Sequence, residues 1–175
     1  ISPAASISAA GAAAIGGSGK VGVIVHDQTS RTGIDRGDGF VARMTEAYPD
    51  IEIIGPQYGG GDQLKSTDLA KAMIQANPDI KGFFGANEGS IKGVLNALKE
   101  TGKEGKVVAI GYDSGQQQID AINAGTEAGA ITQNPVGIGA KCVSAAMDAI
   151  AGKSMDKVID TGYYYYFCKQ QQQQS

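Results

Sequence analysis

The stretch from Gly82 to Ser114, GFFGANEGSIKGVLNALKETGKEGKVVAIGYDS, limits the possible folds more than any other part of the chain. Phe83, Phe84 and Gly85 read as a short buried strand ending at Asn87 and Glu88. From Ser90 to Thr101, Ile91, Val94, Leu95 and Leu98 recur at helical spacing and make one face apolar. Gly102 stops that helix, and Val107 to Ile110 is a second, β-branched strand ending at Tyr112 and Asp113. A helix joining two buried strands in this way is a βαβ unit, whose right-handed crossover lays the strands parallel. Asn87 and Asp113 then sit just past the C-terminal edges of their strands, where open α/β sheets bind ligands.

The alternation continues on both sides. Val21 to Val25 is a continuous apolar strand of the kind buried on both faces, followed by a polar loop from His26 to Thr32. Ile34, Val41, Met44 and Ala47 mark a helix from Gly33 to Tyr48, ended by Pro49. Ile51 to Ile54 is the next strand, and a Gly-rich loop covers Tyr58 to Gly61. Leu64, Leu69, Ala72 and Met73 place a helix over Asp62 to Ala76, which Asn77-Pro78 ends. Beyond the central unit, Ser114 to Ala124 reads as a helix with Ile119 and Ile122 turned inward, and Ala128 to Thr132 as a strand. Val136 to Ala151 is a helix carrying Ile138, Val143, Ala146 and Ile150. Val158 to Phe167 is extended chain interrupted at Gly162, and its Tyr163 to Tyr166 run reads as a half-buried strand rather than an aromatic platform. The pattern predicts an α/β fold, a doubly wound parallel sheet flanked by helices. Residues 1 to 19 are almost all small and bury little, as in a helix taken from a larger packing context, a linker, or a sequence of uncertain identity. The Gln170 to Gln174 run is low-complexity.

Composition narrows the function. At 175 residues the chain fits one domain or part of a two-lobed protein. A net charge of −3 and a pI near 5.1, with no basic cluster, argue against nucleic acid as a partner. No apolar run is long enough to span a bilayer, and no signal peptide is visible, so this is either a mature chain or one that stays in the cytoplasm. Cys142 and Cys168 form neither a CxxC pair nor a metal set; they read as unrelated thiols, with a disulfide between them left open. There is no dinucleotide fingerprint, P-loop or serine elbow, and a single histidine leaves little for acid–base chemistry near neutral pH. An enzyme is not expected, nor is a cofactor or a metal.

Four polar residues remain at strand tips or in the loops after them: Arg36, Asn87, Asp113 and Gln133. Each is planar and can make two hydrogen bonds at once, matching the paired hydroxyls of a sugar. Taken singly, they are better explained as ordinary turn residues, since Asn and Asp commonly begin helices as N-caps. Gathered at one edge of one sheet, the four make a binding site.

These residues lie in stretches that resemble the type I periplasmic binding proteins, specifically the ribose/galactose-type sugar-binding components of ABC transporters. The resemblance runs through Gly33 to Phe40 (GIDRGDGF), Asn77 to Glu88 (NPDIKGFFGANE) and Val108 to Ser114 (VAIGYDS). It continues through Ala121 to Pro135 (AINAGTEAGAITQNP) and Ile138 to Gly152 (IGAKCVSAAMDAIAG), covering about residues 20 to 166. It implies that Arg36, Asn87, Asp113 and Gln133 contact ligand hydroxyls. His26, Asp27 and Gln28 share a loop near the cleft, and Tyr112 is assigned to packing. The family has two similar lobes around the ligand. On that pattern residues 20–133 and 158–167 form the second, ligand-binding lobe, and residues 1–19 and 134–157 belong to or pack on a first lobe. That lobe has no counterpart in these residues, so the chain is expected to be incomplete or completed by a partner polypeptide, with residues 168–175 as a tail. The implied function is a non-catalytic solute-binding protein that delivers a sugar or similar polyol to an ABC-type permease, from a periplasmic or lipid-anchored extracellular location. The alternative is the sugar-sensing core of a repressor-type transcription regulator, which needs a helix-turn-helix before residue 1.

Overall fold

A computed structural model describes residues 3–167. The elements run α1 (Pro3–Ala14), β1 (Gly19–Val25), α2 (Arg31–Ala47), β2 (Ile51–Tyr58), α3 (Gln63–Ala76) and β3 (Ile80–Gly85). They continue with α4 (Glu88–Glu100), β4 (Val108–Tyr112), α5 (Gln116–Ala124), β5 (Gly129–Gln133), α6 (Pro135–Ile150) and β6 (Tyr163–Phe167). The strands form one sheet in the order β2-β1-β3-β4-β5-β6. The first five are parallel, and β6 closes the edge antiparallel to β5. The alternation expected from the sequence is therefore present, with a return strand at its end.

The helix starts follow from local chemistry. Ser30, Asp62, Asn87 and Asn134 each precede a helix, and each side-chain oxygen accepts a backbone N–H from the first turn. Gly125 ends α5 at φ 78°, a left-handed conformation that glycine adopts without a steric penalty.

Two apolar layers cover the sheet. On one face Phe40 and Met44 of α2 pack with Val21, Val23, Phe84 and Ile110, and the Phe40 and Phe84 rings stack 4.1 Å apart. On the other, Met73 and Ile74 of α3 and Ile91, Val94 and Leu98 of α4 bury Ile24, Phe83 and Ala109.

Two expectations need correction. The small-residue segment near the start is a helix of this sheet: Ile7, Ala12 and Ile15 are buried in the same core as Phe40. Its small residues are what let it approach, since a Cβ on Gly11 would lie 2.5 Å from Ile110 Cδ1. On α5, Ile122 is buried but Ile119 is 36% exposed, and the inward position is taken by Gln118, which is fully buried. Gln118 is satisfied there: Nε2 donates to Tyr112 O at 3.2 Å and to Glu127 Oε1 at 3.4 Å, and Oε1 accepts from Gly115 N at 3.4 Å. A polar residue can hold a core position when its partners are supplied. Cys142 on α6 is an exposed free thiol, while Cys168 and the glutamine run lie outside the described residues.

Glu127, between α5 and β5, is fully buried, and its Oε2 has no partner among the described residues. Burial pushes its pKa up to about 8, against a smaller opposing effect of the Gln118 hydrogen bond. Folding thus keeps Glu127 protonated where the unfolded chain would ionise. Its stabilising effect is complete below the ordinary value of 4.5 and is lost as pH rises through about 8. The expected loss over that interval is roughly 4–5 kcal/mol. Urea unfolding at pH 5, 7 and 9 should show this decline, and Glu127→Gln should flatten it; equal slopes for the two proteins would contradict the assignment.

Candidate functional site

The strand order reverses at β1: the chain moves outward to β2, then crosses back to β3 on the other side. The loops leaving β1 and β3 therefore part in opposite directions and leave a crevice at their C-terminal ends. His26 follows β1, Ala86 and Asn87 follow β3, and Asp113 follows β4 at the rim of that crevice.

Arg36 enters from α2 and is held on three sides. Its guanidinium carbon lies 3.7 Å from the centroid of the Tyr112 ring. Nη1 donates to Ala86 O at 3.0 Å and stands 3.9 Å from Asp113 Oδ2. Its side chain is 12% exposed, so the charge sits in a largely desolvated seat where stacking on an aromatic face is stronger than in water. One acceptor does not exhaust the planar fork, and N–H donors remain for a ligand.

Asp113 has φ 78°, the one described non-glycine residue in the left-handed region. Asp tolerates that conformation better than most residues, at a cost of order 1 kcal/mol. Asp113 N donates to Ile131 O at 2.6 Å, and Oδ2 accepts Glu88 N at 3.0 Å. The carboxylate therefore caps α4 from a neighbouring loop, where the helix dipole favours negative charge. Oδ1 is left for another donor.

Asn87 caps the same helix from within, Oδ1 accepting Ser90 N at 3.0 Å. Capping uses only half of the carboxamide. Nδ2 lies toward Gly61, where an added Cβ would come within 3.4 Å of it and 3.8 Å of His26 Cβ. Glycine at 61 keeps that space open. For Asn87 and Asp113, cap geometry and an available fork coexist in one side chain.

The structure thus brings Arg36, Asn87 and Asp113 together. Gln133 is on the same sheet edge, half-buried at the last position of β5 and paired in register with Tyr163, one strand beyond β4. Sequence reasoning gave Tyr112 a packing role. It does pack against the core, and it also carries the guanidinium. Its hydroxyl pKa is raised, chiefly by burial, with Arg36 opposing.

His26 was only a loop residue in the sequence, but it is 14% exposed and electrostatically coupled to Arg36 and Asp113. Its pKa is lowered, mainly by burial and next by the positive charge of Arg36. Its place directly after a strand buried on both faces was the one available signal. Asp27 in the same loop is held well below the usual carboxylate range by hydrogen bonds from Ser30 and Thr29. No group of three or more metal-ligating side chains occurs among the described residues. The assembled chemistry is forked hydrogen bonding around one buried cation, suited to a neutral polyhydroxyl ligand.

Comparison with known proteins agrees with this architecture. The chain is 30% identical over 131 residues to the D-allose-binding periplasmic protein of Escherichia coli K12, covering 75% of this chain and 42% of that protein. It is 30% identical over 121 residues to the ribose import binding protein of the same organism, covering 69% and 40%. Among solved structures, an ABC transporter solute-binding protein from Agrobacterium vitis with bound D-fucose superposes with a TM-score of 0.90 at 29% identity, covering 95% of this chain and 57% of that one. A periplasmic solute-binding protein from Actinobacillus succinogenes with bound D-allose gives 0.89 at 25% identity, covering 97% and 59%. The chain spans about two fifths of the length of the two curated relatives. Residues 7–154 match the periplasmic binding protein domain, and the chain belongs to the type I periplasmic binding protein family.

Proposed function

We propose that this chain forms a sugar-binding lobe of a solute-binding protein that serves an ABC-type permease, in the periplasm or, lipid-anchored, at the extracellular surface. The observation that carries the reading is the seat of Arg36, stacked on Tyr112 beside Asp113 at the crevice where the strand order reverses. In this reading Arg36, Asn87, Asp113 and Gln133 contact ligand hydroxyls, and the site binds without chemistry on the ligand. The relatives named for ribose and allose, and the neighbours with bound D-fucose and D-allose, support a monosaccharide as the ligand class.

One crevice edge leaves a sugar half in water, so binding by this lobe alone is weak, and closure against a second lobe supplies the remaining contacts. α6 supports such a partner. None of its side chains is buried; Val136 and Ile150 are each 82% exposed, and Val143 and Met147 exceed 60%. An apolar helix face of this kind marks a surface that is covered in the working protein. We assign that cover to a second lobe, in the same polypeptide or in a partner chain.

Saturation-transfer NMR detects such weak binding. A panel of D-ribose, D-allose and D-fucose should give a signal from at least one sugar with the wild-type chain. Arg36→Ala or Asp113→Ala should abolish it, because losing a hydrogen bond to a charged group costs about 1.5–3 kcal/mol. Undiminished signals in both variants would sink the site assignment. On α6, Val143→Glu combined with Ile150→Glu should change stability by no more than about 0.5 kcal/mol in urea unfolding, since surface positions rarely matter more. A larger loss would mean that α6 packs on this sheet.

A further inference from the structure

The β1–α2 loop contains a chain of hydroxyl contacts that begins at His26. His26 Nε2 lies 3.2 Å from Thr32 Oγ1, Thr32 Oγ1 lies 3.3 Å from Ser30 Oγ, and Ser30 Oγ donates to Asp27 Oδ2 at 2.8 Å. The direction of every proton follows from the last member. Asp27 is ionised and can only accept, so the Ser30 hydroxyl proton points at it. Ser30 Oγ then accepts from Gly33 N at 3.1 Å and from the Thr32 hydroxyl. With its own proton committed to Ser30, Thr32 Oγ1 must accept from His26. This pattern assigns the imidazole as the Nε2–H tautomer, with Nδ1 a bare lone pair. Nδ1 is buried and has no partner among the described residues.

The same loop carries the first turn of α2: Ser30 is its N-cap, and Arg36 lies further along the helix. The relay thus connects the end of β1 to the helix that presents Arg36. A proton arriving at His26 has only Nδ1 to occupy. That would create a buried N–H with no acceptor and a second cation near Arg36. The charged groups facing the ring are Asp27 of its own loop, Arg36 from α2 and Asp113 from the β4–α5 loop. The two carboxylates favour the imidazolium; burial and Arg36 oppose it.

We propose that His26 is a positioning residue for the sugar site: as a neutral Nε2–H imidazole it ties the β1–α2 loop to the first turn of α2, and a proton taken at Nδ1 leaves that hydrogen bond in place but sets a partnerless buried N–H and a second positive charge near Arg36, which shifts the loop and the seat of Arg36, so ligand binding weakens in acid. The last clause rests on the sugar-binding reading; the tie itself does not.

His26 is the only histidine of the chain, so its ring resonances need no mutant for assignment. Long-range proton–nitrogen NMR from pH 8 to pH 4.5 should show the Nε2–H tautomer, titrating below its ordinary value of 6.5. The amides of Thr29 to Gly33 and the Arg36 Nε–H should move with the same midpoint. Arg36→Ala should raise that midpoint and Asp113→Asn should lower it. An Nδ1–H tautomer, or loop amides and Arg36 Nε–H indifferent to the ring's titration, would overturn the proposal without any ligand present. With D-allose as the probe, wild-type affinity should fall by up to about tenfold for each pH unit below the midpoint. His26→Gln offers an amide N–H to Thr32 that does not titrate, and should remove this dependence. The same acid loss in His26→Gln would overturn the coupling to binding. Absence of D-allose binding at every pH, with the ring, loop and Arg36 titrating together, would count against the ligand reading and leave the tie supported.

Discussion

An arginine held largely out of water needs its charge answered from several directions, and much of the polar architecture of this molecule serves that need. Tyr112 lies under the guanidinium, Ala86 O accepts from it, and Asp113 stands 3.9 Å away. Those three groups come from β4, from the end of β3 and from the loop after β4. They converge because winding reverses at β1, so no helix covers the strand ends there. The apolar layers above and below fix the strands in register, and the register sets where the three partners stand. A desolvated cation with some donors unspent has a strong preference for acceptors that arrive in pairs.

Asp113 shows how binding and folding are combined in one side chain. Its left-handed backbone is held by Asp113 N to Ile131 O on one side and by Oδ2 to Glu88 N on the other. Removing the carboxylate would loosen α4 as well as the site. Asn87 has the same double duty through Ser90 N. The choice between cap and ligand contact, which the sequence leaves open for these residues, is therefore not a choice between exclusive roles.

The elements were readable from the sequence wherever burial imposed a period. Ile91, Val94, Leu95 and Leu98 marked α4, and Val21 to Val25 marked a strand buried on both faces. Reading failed where burial did not follow hydrophobicity. Gln118 takes the inward position beside exposed Ile119 because Tyr112 O and Gly115 N supply its partners, and those partners are invisible in a linear pattern. The Ala- and Gly-rich start lacks bulk, yet Ile7, Ala12 and Ile15 suffice to bury it because Gly11 lets the helix sit close to Ile110. At the site, the spacing of Arg36, Asn87 and Asp113 along the chain suggested one edge. The stacking on Tyr112 and the enclosure of His26 depend on side chains meeting across elements, and no spacing rule encodes that.

The chain leaves the sheet after Gln133 and re-enters at Tyr163, and these two residues face one another across the β5–β6 ladder. The departing and returning segments are also stitched side by side: Asn134 Nδ2 donates to Thr161 O at 3.1 Å, and Lys141 Nζ donates to Asp160 O. α6 is thus mounted on a short double-stranded stalk rooted at the rim of the binding edge, and it has no other purchase on the body through buried side chains. Such a mounting behaves as a crank. Any torque applied to α6 from outside would be delivered first at its root, beside Gln133.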